Sequence, residues 1–296
     1  MHILLFGTSG QVGWELQRAL QPVGVVTALS RAQVDFDDPE SLRLCFASKP
    51  DVVINAVAYT AVDQAEEDEE RAIRINAEAV GVLADESYRC GALLIHFSTD
   101  YVFDGTSAAP YTESEAPHPA SVYGRSKLLG EVAIQASHCD HLILRTSWVF
   151  SRRGKNFVKT ILRLAQEREV LKIVADQVGA PTSASLIADV TAHVVRAAMV
   201  ERTSGGFESE LLHLTATGST SWHGFAEYIV GCARSHGALA AKPLAILPIA
   251  TTEFPLLARR PPNSRLDTTR LRERYALTLP DWAPAVASCV EELVGD

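Results

Sequence analysis

The first thirteen residues constrain the fold more than any other stretch of the chain. His2-Ile3-Leu4-Leu5-Phe6 is a continuous apolar run, the pattern of a strand covered on both faces. It breaks into Gly7-Thr8-Ser9-Gly10-Gln11-Val12-Gly13 and then into a helical pattern. A strand covered on both faces needs helices on each side of its sheet, and a glycine-spaced turn at its end starts a βα unit suited to a dinucleotide. Gly7 suits the tight turn, Gly10 lets backbone approach phosphate, and Gly13 lets helix and strand pack closely. The new helix end offers free N–H groups and a positive dipole to a pyrophosphate. The spacing is G-x-x-G-x-x-G rather than the commoner G-x-G-x-x-G.

The alternation continues. Strands are expected over 25–29, 34–36, 52–56, 93–98 and 141–145. Helices are expected over 11–20, from Pro39 onward, and over 71–89 and 123–136. This rhythm predicts an α/β fold with a Rossmann-type, doubly wound parallel sheet and right-handed crossovers. Beyond residue 150 helices are expected over 157–168 and 184–199, and prolines cluster at Pro243, Pro248, Pro255, Pro261 and Pro262. Residues 1–150 therefore read as a dinucleotide-binding domain. Residues 151–296 read mainly as a smaller, irregular substrate-binding lobe, with some helices packing back on the main sheet.

Composition narrows the setting. An apolar content of 47% and a charged content of 21% over 296 residues suit a globular protein with a large core, and a net charge of −9 argues against a nucleic-acid surface. Five scattered cysteines without a Cys-x-x-Cys pair point away from disulfides and zinc. No apolar stretch approaches the roughly 20 residues of a membrane helix, and the N-terminus has no basic leader, so a cytoplasmic setting without membrane contact is expected.

Two further patterns carry chemistry. After the second strand the chain reads Ser30-Arg31 where an acid would favour NAD; Arg31 can pair with a 2′-phosphate and favours NADPH, with NADH as the alternative. Asp35 and Phe36 follow where an adenine would rest. Tyr123 and Lys127 stand at i and i+4 on an expected helix, a proton donor beside a cation that lowers the phenol pKa. Ser98-Thr99-Asp100 closes an apolar strand and brings hydroxyls to the carboxyl edge of the sheet.

With these motifs, Asn55-Ala56-Val57-Ala58-Tyr59-Thr60-Ala61-Val62-Asp63, Ser98 to Phe103, Arg145-Thr146-Ser147-Trp148, Asp176-Gln177-x-Gly179-Ala180-Pro181-Thr182 and Arg260-Pro261-x-Asn263-Ser264-Arg265-Leu266 make the chain resemble the extended short-chain dehydrogenase/reductases. Within them it is similar, along essentially its whole length, to the dTDP-4-dehydrorhamnose reductases. The resemblance implies that Tyr123 protonates the C4 oxygen of a dTDP-linked 4-keto sugar as a nicotinamide delivers hydride. Lys127 would hold the nicotinamide ribose, and Thr99 would bond the reacting oxygen. Gly10, Gln11 and Val12 would border the pyrophosphate, and Ala58, Tyr59 and Thr60 would line the cofactor. Asp100 and Trp148 would contact the sugar; Asn156, Arg260, Asn263 and Arg265 are assigned to the nucleotide. Some members hold Mg2+ between two subunits with glutamates. Glu15 and Glu292 match, but Ser185 stands where a third would be, so no metal ligand is assigned and a homodimer is left open. A reductase for another dTDP-4-keto-6-deoxyhexose and a non-catalytic NADP-binding regulatory subunit are the alternatives.

Overall fold

The structure is a computed structural model and describes residues 1–239 and 245–295. Six parallel strands form the central sheet: β1 (His2–Phe6), β2 (Val25–Leu29), β3 (Val52–Asn55), β4 (Leu93–Thr99), β5 (His141–Thr146) and, further along the chain, Glu210–His213. Their order is Glu210–His213, β5, β4, β3, β1, β2. The chain reverses its direction of travel across the sheet between β1 and β3, and such a switch point opens a crevice at the carboxyl ends of its strands. Every residue of β3, β4 and β5 is buried, as their apolar runs require.

Helices cover both faces. On one lie α1 (Gln11–Ala19) and a long helix, Ala184–Ser204, whose Ile187, Val194 and Val195 pack with Leu16 against β1 and β3. On the other lie α2 (Pro39–Leu44), which Pro39 and the Asp38 cap start, and the segment Glu69–Cys90. That segment comprises α3 (Glu69–Ile73), a π turn at Arg74–Glu78, and α4 (Ala79–Cys90), ended by Gly91 in the left-handed region. Beside it runs α5 (Val122–Ala136). Leu42, Val80, Leu83 and Ile134 close this second core.

The expected strand over 34–36 does not form. Asp35 Oδ1 accepts the Asp37 N–H at 3.0 Å and the Asp35 N–H donates to Ser41 Oγ at 3.1 Å, so the chain turns there. Val34 and Phe36 are nonetheless buried, Phe36 edge-on to Phe6 with ring centroids 5.6 Å apart.

After residue 150 the chain serves both parts of the molecule. Ala184–Ser204 and Glu210–His213 join the main sheet, the strand beside β5. Helices α6 (Phe157–Glu167), α7 (Ala184–Ser204, above), α8 (Trp222–Ser235), α9 (Thr269–Arg274) and α10 (Trp282–Gly295) follow in chain order. Val158 and Ile161 of α6, Phe225 and Ile229 of α8, and Val286 and Val290 of α10 form a separate core under the parallel pair Val170–Val174 and Ala245–Ile249. The loops over 250–268 cross from this lobe to the sheet edge; Pro243 lies outside the described residues.

Candidate active site

Two clefts open at the carboxyl edge of the sheet. The first, of about 410 Å³, lies at the β1/β3 switch point and is lined by Gly7, Ser9, Gly10, Ser30, Arg31, Asp35, Phe36, Ala58, Tyr59 and Thr60 among others. Gly7 sits at φ 89°, and its N–H donates to the Leu29 carbonyl, so the turn folds back over β2. A Cβ on Gly13 would lie 2.1 Å from the Gly7 oxygen, so only glycine lets α1 start this close to β1. The cleft ahead of the helix is open at Gly7, Ser9 and Gly10, and the cradle fits a dinucleotide pyrophosphate. Val12 turns its side chain into the core.

The rim of this cleft is cationic in an uneven way. Arg71 and Arg74 both reach Asp37 at 3.2 Å, whereas Arg31 is exposed and has no carboxylate partner among the described residues. Ser30 donates its N–H and hydroxyl to Gln33 Oε1. One carboxylate oxygen of Asp35 is used within its turn.

Tyr123 stands between this cleft and the second one. It packs against the same small cluster, Ala65, Ala72 and Val122, as Tyr59, which lines the first cleft, and its ring stands edge-on to Tyr101, which lines the second, with ring centroids 5.6 Å apart. The approach depends on Gly124: a Cβ there would lie 2.1 Å from the Tyr101 oxygen. Ser121 caps α5 by accepting the Gly124 N–H at 3.1 Å. Asn76 in the π turn ties the same helix to the cofactor loop, bonding Tyr59 N–H and carbonyl and the Ser126 hydroxyl. π turns gather at functional sites because they aim one side chain out of helical register.

Thr99 ends β4 and caps the turn at Asp100–Val102, accepting the Tyr101 N–H at 3.2 Å. Its hydroxyl donates to Asp100 Oδ1 at 3.0 Å and meets the Tyr123 phenol. Burial pushes Tyr123 up to about 12, a shift the Thr99 hydroxyl opposes. Burial likewise raises Asp100 to about 6, against hydrogen bonds from Ser264 and Thr99. Lys127 is fully buried, and burial lowers it to about 8 against the pull of Glu131. Glu131 is itself held by Arg145 through two bonds, at 2.9 and 2.6 Å.

The second cleft is larger, about 860 Å³, and runs from Tyr101 along Phe157, Gln177 and Trp222 to Arg260. Of the four residues assigned to the nucleotide, only Arg260 lines it. Asn156 caps α6 and gives its amide to Gln11 Oε1 and the Ser151 carbonyl, at 2.8 and 2.6 Å. Gln11 therefore faces the second lobe, fastening it to the glycine turn. Asn263 bonds the Ser107 and Ala109 carbonyls and Arg265 the Ala108 carbonyl, so both strap the loop over 104–111. Their polar atoms are committed to backbone and to each other, and sequence spacing does not reveal such bonds. Trp148, at φ 48°, lies flat on Trp222 with ring centroids 3.5 Å apart. A non-glycine residue in this region is uncommon and gathers where function demands it.

Tyr101, Trp222, Asn76 and Asp63 escaped the sequence reading. Tyr101 and Asp63 lay within quoted motifs without a role of their own, and the partner of Asp63, Arg260, is far away in the chain. Glu15 pairs with Arg18 and Glu292 with Arg152, and among the described residues no three His, Cys, Asp or Glu side chains gather to hold a metal. Among the described residues no helix is long and apolar enough to cross a membrane.

A doubly wound sheet, a glycine cradle at its switch point and a tyrosine followed one helical turn later by a buried lysine define a nicotinamide-dependent reductase of the extended α/β class. The family described as "RmlD substrate binding domain" matches residues 1–294, and the chain belongs to it. It is 53% identical to a dTDP-4-dehydrorhamnose reductase of Burkholderia thailandensis, over 99% of each chain. Solved structures agree: a dTDP-4-dehydrorhamnose reductase from Clostridium acetobutylicum superposes with a TM-score of 0.87 at 34% identity, covering 99% of each chain. One from Bacillus anthracis, in complex with NADP, gives 0.85 at 33% identity, covering 98% of this chain and 99% of the other.

Proposed function

We propose that this chain is an NADPH-dependent reductase that converts the C4 keto group of dTDP-4-dehydro-6-deoxy-L-mannose to the alcohol of dTDP-L-rhamnose. The observation that carries this reading is the place of Tyr123, edge-on to Tyr101 of the second cleft and packed on the cluster that Tyr59 of the dinucleotide cleft also meets, with the Thr99 hydroxyl beside it. Relatives that match over the full chain carry the name of this activity, and a similar solved structure holds NADP.

NADPH, when bound, supplies the hydride. In this reading residues 1–150 hold it, together with the later helix and strand that complete the sheet, and the rest of 151–296 receives the sugar nucleotide. Gly7, Gly10, Gln11 and Val12 border the pyrophosphate with backbone; Ser30, Arg31, Asp35 and Phe36 meet the adenosine half, and Ala58, Tyr59 and Thr60 the length between. Arg31, free of any carboxylate among the described residues, is the group for a 2′-phosphate. Tyr123 donates its proton to the C4 oxygen, Thr99 orients that oxygen, and Lys127 supports both phenol and ribose. A buried phenol gives up its proton reluctantly, so the Thr99 hydroxyl beside it and a cation at Lys127 are what lower its barrier. Asp100, the Trp148–Trp222 stack and Arg260 face the sugar nucleotide, and Asn156, Asn263 and Arg265 hold the loops that shape its cleft.

The test follows loss of reduced-nicotinamide absorbance with dTDP-4-keto-6-deoxyglucose, with and without a 3,5-epimerase. Oxidation that requires the epimerase supports the reading. Turnover without it indicates a different deoxysugar product, and cofactor binding without turnover indicates a regulatory subunit.

A further inference from the structure

Gln11 belongs by position to the cofactor turn, but its side chain serves the other lobe. Oε1 accepts from the Asn156 amide at 2.8 Å and from the Ser151 hydroxyl at 3.1 Å, and Nε2 donates to the Val149 carbonyl at 3.5 Å. These three partners all lie within residues 149–156. Gly154 passes over the same side chain, since a Cβ there would stand 3.2 Å from Gln11 Cγ.

Backbone groups fix which way both amides face. The Lys159 N–H can only donate, so Asn156 Oδ1 faces it, at 3.1 Å, and the Asn156 NH2 faces Gln11. The Val149 carbonyl can only accept, so the Gln11 NH2 faces Val149 and its oxygen faces Asn156. Donor meets acceptor at each contact. Neither amide can turn over without setting like groups against each other.

The pinned segment reaches the second cleft at both of its ends. Before it stands Trp148, flat on Trp222; after it stands Phe157, the first residue of α6, with its ring centroid 4.6 Å from that of Trp222. Phe157 and Trp222 line the second cleft. Trp148 holds φ 48°, a conformation that a non-glycine residue keeps only where surrounding contacts impose it. Its carbonyl accepts the Thr182 N–H at 3.2 Å, and a Cβ on Gly179 would fall 2.5 Å from its indole.

We propose that Gln11 is a positioning residue that couples the two clefts: a pyrophosphate on the turn fixes its backbone, and its amide then steadies residues 148–157 and the indole wall they carry. Gln11 is the first residue of α1, so its backbone N–H has no partner within the helix and is free to meet an anion. Release of the pin lets Trp148 relax toward an ordinary backbone conformation and withdraws the wall. The cofactor thus raises affinity for the nucleoside diphosphate, and by linkage the nucleotide raises affinity for the cofactor by the same factor. The proposal deepens the proposed function and rests on it for the identity of the two ligands.

The experiment measures binding of dTDP to the full chain by calorimetry, without and with saturating NADPH, a pair that cannot react. In the parent chain NADPH should tighten dTDP at least about fivefold. Gln11→Met keeps the length of the side chain and removes its bonds. Its partners keep others, Asn156 with the Ser151 carbonyl and Ser151 with the Arg153 carbonyl, so neither side chain is orphaned. Asn156→Ser breaks the pin from the other side, because serine still caps α6 but is too short to reach Gln11. In both variants the coupling factor should fall below half its parent value. A parent chain without coupling, or a factor above half in either variant, overturns the proposal. A merely structural role would weaken dTDP equally with and without NADPH and leave the factor unmoved. No turnover is read, so a chain that binds both ligands but fails to reduce the sugar counts against the proposed activity alone.

Discussion

Asp63 and Arg260 lie 197 residues apart in the chain and meet in a two-pronged ion pair, at 2.8 and 2.6 Å. Asp63 follows the cofactor loop, and Arg260 stands on the segment that bounds the second cleft. The pair thus closes the sheet edge and aims a guanidinium at the space proposed for the nucleotide. Arg260, before any other cause, holds the Asp63 carboxyl below its ordinary range.

Asp63→Ala and Arg260→Ala should each cost about 1 kcal/mol, the size set by the partial exposure of the pair. The double variant should cost no more than the larger single loss, since one contact is removed in each case. Urea unfolding measures all three; additive losses would show that the two residues act separately. The contribution exists above the ordinary carboxylate pKa and is lost as pH falls through the depressed value. In kinetics, only Arg260→Ala should raise KM for the sugar nucleotide strongly.

Tyr123→Phe removes the proposed acid while keeping the ring edge-on to Tyr101. Turnover should fall at least about 100-fold, with NADPH affinity unchanged by fluorescence titration. A rate near that of the parent chain would take Tyr123 out of the reaction.

Arg31→Ala should weaken NADPH about tenfold, the worth of one charge-assisted contact, and leave NADH nearly unchanged. The ratio of the two dissociation constants is the measurement. Equal weakening would assign Arg31 to a feature the two cofactors share.

Asp100 combines burial with a carboxyl raised to about 6. A raised acid contributes stability that is present below its unfolded pKa and lost as pH climbs through the folded value. Asp100→Asn removes that loss, so the variant should be more stable than the parent chain at pH 7, by up to about 3 kcal/mol, and no more stable near pH 3.5. Thermal midpoints at the two pH values decide it. The same variant should bind the sugar nucleotide less tightly.

Trp222→Ala withdraws the surface on which Trp148 lies flat. A stability loss of about 3 kcal/mol is expected, at the low end for a tryptophan because Trp222 is only half-buried. KM for the sugar nucleotide should rise while the NADPH dissociation constant holds. A rise in both would place the stack between the clefts instead of in the second one.

Local spacing made much of this protein legible in advance. Apolar runs of five to seven residues mark strands covered on both faces, and glycines at 7, 10 and 13 mark a turn that must let backbone approach backbone. Tyr123 and Lys127 share a helix face by the period of the helix alone. These properties depend on neighbours within a turn or two, so sequence by itself determined them. It misread 34–36, where the aspartate turn outweighed the alternating apolar residues. Tertiary structure decided what long-range contact controls. Asn156 and Asn263 have the chemistry of ligand residues, but backbone carbonyls brought close by folding take up their amides. His96 was one buried histidine in an apolar strand until β3 brought Asn55 to one ring nitrogen and α5 brought Lys127 to the other. A hydrogen bond needs its partner within about 3 Å, and no spacing along the chain reports which partner the fold will deliver.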